Sequence, residues 1–356
     1  MSLRPARITR RRALGVAAAA VLALTASACG SDDKDGSAGN AAGDGGKRTT
    51  VRIAYQEIPN ADLIVKDQRL LENALPNADV KWVKFDSGGD VNTAVIAGAV
   101  DFGLAGSSPV TKGLSAPLNI PYKVVWIHDL IGDNEALVAR GGITDIKQLV
   151  GKKVATPFGS TAHYSLLAAF QSAGVDATKV NVIDLQPQDA LAAWKRGDID
   201  AAYTWTPTLS ELEKDGKVLI TSRQLAEQGK RTADLGIVTD KFAKAYPDIV
   251  TAWIKVQDQA VKLAKNSPEQ AAQAIGRQLN LTPEQALTQL KQLVLLTAAE
   301  QTGPEYLGKP GAPGKLAENL RDAAVFLKSQ QKVDAVPDAS VFAQALAVEE
   351  LARAAG

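Results

Sequence analysis

Cysteine is almost missing from this 356-residue chain; Cys29 is the only one. That excludes a disulfide framework, and a cysteine so close to the N-terminus, ahead of any folded segment, is no thiol catalyst either. Histidine is nearly as scarce, with His128 and His163 alone, which leaves little material for a metal centre or a Ser–His–Asp triad. Long hydrophobic runs are lacking too. The run from Ala13 to Leu24 falls short of the ~20 apolar residues a comfortable membrane span needs. What is present is a globular composition, 46 % apolar and 22 % charged, in a chain long enough for two domains with real cores.

The N-terminus is organised differently from the rest. Arg4, Arg7, Arg10, Arg11 and Arg12 precede the short apolar run, with no acidic residue among them, and the small residues "ASAC" follow it. This is the layout of a signal peptide over residues 1–28, readable as a Sec signal or, through "TRRRALG", as a loose twin-arginine signal. Small residues before a unique cysteine resemble a bacterial lipobox, so Cys29 is expected to carry the lipid that anchors the protein to the membrane. Ala26 stands where such motifs usually have leucine, and an ordinary small-x-small cleavage site for a soluble exported protein is the other reading. Removal of residues 1–28 takes away five arginines and leaves 35 basic against 39 acidic residues, a net charge of −4. No basic patch remains to suggest a nucleic-acid partner. Residues 29–49, rich in Gly, Asp and Ser, read as a flexible tether.

From Val51 short β-like runs alternate with helical segments. "VRIAY", "VKWVKF", "DFGLA" and "YKVVWI" are followed, after "EALVAR", by "KKVATP", "VNVIDL" and "IDAAYTW". Such alternation predicts parallel sheets covered by helices, an α/β protein. From about Lys241 the sequence reads as nearly all helix. "IAGAVDFGLAGSSP" and "KRGDIDAAYTWTP" echo one another about a hundred residues apart, as equivalent elements of two similar lobes would.

Chemistry belongs at the helix openings that follow the strands, because ligands of open α/β sheets sit outside the carboxyl edges. In "PFGSTAHYSLLAAFQSAG", Ser160 is placed at an N-cap, with Thr161 and His163 in the first turn and Gly174 at the stop. In "AGSSPVTKGL", Ser107 or Ser108 is placed at an N-cap and Pro109 at the first helical position. Either cluster alone is explained by capping. Together, at matched edges of two sheets, they would offer two sets of free N–H groups to one small anion.

"VRIAYQ", "WVKFDSGGDV", "GSSP", "NEALVAR", "GKKVATPFGSTAHYSLLAAF", "LQPQDALAAWKRGDIDAAYTW" and "LEKDGKVL" together resemble the taurine branch of the sulfonate, nitrate and taurine group of ABC-transporter solute-binding proteins. The likeness runs over roughly residues 50–335. It implies a periplasmic-binding-protein fold, with lobe one at 50–137 plus 233–356 and lobe two at 138–232, closing on a small ligand. It also implies delivery of that ligand to an ABC permease and its ATPase, by a monomer that needs no cofactor and no metal. A sulfonate is a permanent anion that helix N-termini bind without an arginine. Taurine's ammonium asks for a carboxylate or an aromatic face. Asp234, in "TADLGIV", corresponds to an aspartate on the returning hinge strand of the family, and Glu135 is the second candidate. Trp205 and Tyr55, each ending a strand, are candidate walls, with Gln56 beside Tyr55. His163 is a candidate donor to the sulfonate. Trp82, Trp126, Trp194, Trp253 and His128 are expected to pack.

Two rivals stand against taurine capture. An enzyme of the same fold is one, but a desulfinase would need a cysteine nucleophile, and pyrimidine synthesis belongs in the cytoplasm rather than behind an export signal. A receptor for other alkanesulfonates, nitrate or a small amine is the other. There the discriminator is a carboxylate in the cleft, which an alkanesulfonate receptor has no reason to keep.

Overall fold

The computed structural model describes residues 48–356, so the expected signal peptide, Cys29 and all but the end of the tether lie outside the described residues. The chain lays down β1 (Thr49–Tyr55), β2 (Ala78–Lys84), β3 (Phe102–Gly106) and β4 (Tyr122–Leu130) in one sheet. It then crosses to a second sheet with β5 (Glu135–Ala139), β6 (Lys153–Thr156), β7 (Asn181–Asp184), β8 (Ala201–Trp205) and β9 (Lys217–Thr221). Finally β10 (Ala233–Thr239) returns to the first sheet.

The two sheets have matching strand orders, β2-β1-β3-β10-β4 and β7-β6-β8-β5-β9. In each, four strands run one way and a single antiparallel strand, arriving from the other sheet, lies between the third and the fourth. The inner strands β3, β5 and β8 are buried along their whole length, which is why "FGLAG", "EALVA" and "AAYTW" carry almost no charge. The edge strand β2 keeps Lys81 and Lys84 toward solvent, a pattern that discourages edge-to-edge pairing.

Beyond β10 the chain is helical apart from a small hairpin, Gly308–Lys309 with Ala312–Pro313, that the helix-rich composition does not announce. The helix Pro247–Asn266 seats Val250, Trp253, Ile254 and Val261 in the first core, where Trp253 stacks on Phe102 at 5.2 Å. Trp126, Trp194 and Trp253 are fully buried. His128 is buried beside Asp62, at 3.7 Å, and burial pushes its pKa down to about 3. The later helix Leu316–Ser329 reaches the second sheet's unit, with Phe326 edge-on to Tyr164.

Candidate functional site

Between the carboxyl edges of the two sheets lies a small cavity. It is lined by Gln56, Ile58, Gly88, Gly106, Pro109, Ile131, Asn134, Glu135, Ser160, Thr161, Trp205 and Asp234. Not one of these carries positive charge.

The anion-binding capacity comes from backbone. Ser160 caps the helix Thr161–Ala173: its hydroxyl accepts the His163 N–H at 3.1 Å and donates to the Pro157 carbonyl at 2.6 Å. That fixes the turn and leaves the N–H groups of Thr161 and Ala162 without an acceptor among the described hydrogen bonds. Gly88 brings the start of a second helix, Gly88–Ile96, to the same space. Gly106 and Pro109 bring the first turn of a third, Ser107–Leu114. Three helix N-termini, each equivalent to a partial positive charge, therefore face one cavity.

The third helix departs from the expected capping. Its N-cap is Gly106, and Pro109 is the third helical residue rather than the first. The reason is that the Ser107 hydroxyl is turned away to accept the Ala233 N–H at 3.2 Å, tying this helix to the returning strand. Gly106 itself is required by close approach: a Cβ there would stand 2.5 Å from Thr161 Cγ2. Gly88 is under the same constraint from Pro109 Cγ, at 2.7 Å.

Glu135 and Asp234 are the two carboxyls in the walls, and they differ in kind. Glu135 accepts from Thr161 Oγ1 at 2.6 Å, Ser222 Oγ at 2.8 Å and Ser165 Oγ at 3.3 Å. Burial pushes its pKa up to about 7 against the pull of those three hydroxyls. Its oxygens are occupied, and Thr161 has spent its one hydroxyl proton on it, so Thr161 offers an anion only its backbone N–H. Asp234 makes no side-chain hydrogen bond among the described residues. Burial first and Glu135 second push its pKa up to about 8. It is the free carboxyl of the site.

Of the residues singled out in the sequence, the structure brings Gln56, Glu135, Ser160, Thr161, Trp205 and Asp234 to the cavity. Gln56 is pinned there by donating to the Leu104 carbonyl at 3.0 Å. Tyr55, Ser107, Ser108 and His163 are not among its walls. The Tyr55 ring packs edge-on to Trp82 at 6.1 Å with the Lys66 ammonium above it. His163 stacks on Phe158 at 4.7 Å and accepts the Gly159 N–H through Nδ1, closing the turn, and burial pushes its pKa down to about 4. Ser108, the second residue of its helix, is buried. The glycines, Ile58, Ile131 and Asn134 carry no chemistry in the sequence and became visible only through their position.

Two mixed α/β sheets facing each other across a cavity, joined by two antiparallel strand exchanges, define a periplasmic-binding-protein fold. The profile of the NMT1/THI5 like family matches residues 77–271, and the chain belongs to that family. It is 37 % identical, over 80 % of its own length and 88 % of the relative's, to the taurine-binding periplasmic protein of Escherichia coli strain K12. It is 34 % identical to a putative aliphatic sulfonates-binding protein of Bacillus subtilis strain 168, over 66 % of this chain and 71 % of that one. In fold it is similar to the alkanesulfonate-binding protein SsuA of Xanthomonas axonopodis pv. citri bound to MOPS. The TM-score is 0.69 at 21 % identity, over 84 % of this chain and 98 % of that one.

Proposed function

We propose that the protein captures taurine between the two lobes, 50–137 plus 233–356 and 138–232, and hands it to an ABC importer on the outer side of the cell membrane. The sulfonate lies against the N–H groups opening the Thr161 and Gly88 helices, and the ammonium meets Asp234. The observation that carries this reading is the charge arrangement of the cavity: helix N-termini, no basic side chain, and one carboxyl without an internal partner. A simple anion gains from the first feature and has no use for the last. A zwitterion with its charges a short chain apart uses both. Trp205, 8 % exposed, walls the chain between them.

Capture rather than catalysis fits the same side chains. Both hydroxyls in the walls are committed, Ser160 to the Pro157 carbonyl and Thr161 to Glu135, a carboxyl that Ser165 and Ser222 hold as well. We further read Cys29 as the acylated N-terminus of an exported, signal-bearing lipoprotein that works as a monomer with the permease and its ATPase. That rests on the residues around it and on the relatives' periplasmic character.

The test is a two-by-two titration of wild type and Asp234→Asn with taurine and ethanesulfonate. A charge-assisted hydrogen bond contributes about 1.5–3 kcal/mol, so taurine should bind the variant about ten- to hundredfold more weakly. Ethanesulfonate, without an ammonium, should bind it as well or better. Equal losses for both ligands would place the ammonium elsewhere.

A further inference from the structure

Behind Asp234 stands a second carboxyl that the binding reading does not use. Asp129, on β4, is the direct cross-strand partner of Asp234 on β10. Directly opposed residues of antiparallel strands share a face with Cβ atoms about 5 Å apart. Asp129 is 0 % exposed, and neither of its oxygens has a hydrogen-bond partner among the described residues. Glu135 is the third carboxyl, facing both from the start of β5, with its oxygens filled by hydroxyls. Arg231 and Glu305 line a second cavity with Ala233, and neither pairs with Asp129 or Asp234 among the described residues; Glu305 is paired with Lys315. No lysine, arginine or histidine among the described residues forms an ion pair with any of the three carboxyls.

Two neighbouring buried carboxyls without a cation cannot both stay ionised. A buried carboxylate with no donor is costly, whereas a protonated one is itself a donor. Burial and the adjacent Asp234 and Glu135 push Asp129 well above the ordinary carboxylate range, and Asp234 follows to about 8. The empty site therefore holds protons near neutral pH.

We propose that Asp129 and Asp234 form a proton-exchanging pair from which an incoming primary ammonium displaces one proton to solvent, coupling capture of an aminosulfonate, but not of a simple sulfonate, to proton release. This rests on the reading that the ligand's ammonium faces Asp234. Asp234 ionises against the ammonium while Asp129 keeps its proton and donates it to Asp234, so Asp129 acts as a positioning residue. Taurine affinity should then rise up to about tenfold per pH unit below the pair's titration, the limit for one displaced proton. Ethanesulfonate affinity should stay level or fall over the same range.

Calorimetry of the mature protein near neutral pH, in buffers of different ionisation enthalpy, reads the proton count directly. Wild type should release close to one proton with taurine and none with ethanesulfonate. In Asp129→Asn the amide copies the protonated acid as a donor, so Asp234 keeps its own proton until the ammonium arrives, and release and taurine affinity should stay near those of wild type. In Asp234→Asn, which has no proton to give up, release should vanish. Asp129→Ser serves as a second variant, and the wild-type buffer series decides alone if neither folds. Tight taurine binding without proton release, or release that persists in Asp234→Asn, overturns the proposal while leaving taurine capture standing. Binding of ethanesulfonate but not taurine removes the ammonium reading, and the proposal with it.

Discussion

Gly106→Ala is the smallest perturbation that should separate closure of the lobes from folding of either one. The added methyl would stand 2.5 Å from Thr161 Cγ2 and 3.5 Å from Asp234 Oδ1. The second distance is an ordinary contact; the first is more than an ångström short of the ~3.5–4.0 Å at which carbon atoms rest. Thr161 cannot swing its methyl aside freely, because its hydroxyl is held by Glu135 at 2.6 Å. Overpacking of this kind costs about 1–3 kcal/mol. Gly106 belongs to the first sheet and Thr161 to the second unit, so the cost falls on the closed state alone. Taurine affinity in a titration should therefore fall by about 5- to 150-fold, the factor those energies represent. The unfolding temperature of the empty protein should change little. Thr161→Ser removes Cγ2 and keeps the hydroxyl on Glu135, so Gly106→Ala combined with Thr161→Ser should recover most of the lost affinity. A loss that the second substitution does not repair would refute the steric account.

Ser160→Ala removes the cap on the Thr161 helix and should lower stability by about 0.5–2 kcal/mol in a urea titration, with weaker binding of every sulfonate because the turn loosens. Asp62, buried and accepting from Gln257 Nε2 at 2.5 Å, has its pKa pushed up to about 7, above its unfolded value near 3.9. Its stabilising contribution is therefore complete below about pH 4 and is lost as pH rises through about 7. Wild type should gain stability relative to Asp62→Asn as pH falls across that window, and parallel unfolding curves would contradict the assignment. Cys29→Ala should shift the protein from the detergent phase to the aqueous phase in a partitioning assay. A wild-type protein found wholly in the medium would contradict acylation.

The alternation of β and helical segments was legible because buried parallel strands need short, nearly continuous apolar runs and the chain has to return over each sheet through a helix. The cap at Ser160 and the stop at Gly174 were legible for the same local reason: both are decided within four residues. What the sequence hid is decided by neighbours far along the chain. Ser107 looks like a cap in "AGSSP" until Ala233 takes its hydroxyl. Thr161 looks like a free donor until Glu135, 26 positions away, claims its proton. Asp129 sits at the end of a strand-like run with nothing to mark it, and only the register of β10 against β4 sets it beside Asp234. Nothing in the sequence marks Gly88 or Gly106, where close packing is what excludes a side chain.

Taurine capture requires this cavity to select a small molecule bearing both a sulfonate and an ammonium. One calorimetric comparison of the purified mature protein with taurine, ethanesulfonate and nitrate tests it most directly. The arrangement of three helix N-termini around the uncompensated Asp234 predicts tight binding of taurine, ethanesulfonate weaker by about one to two orders of magnitude, and nitrate weaker still. Ethanesulfonate or nitrate binding as tightly as taurine would contradict it.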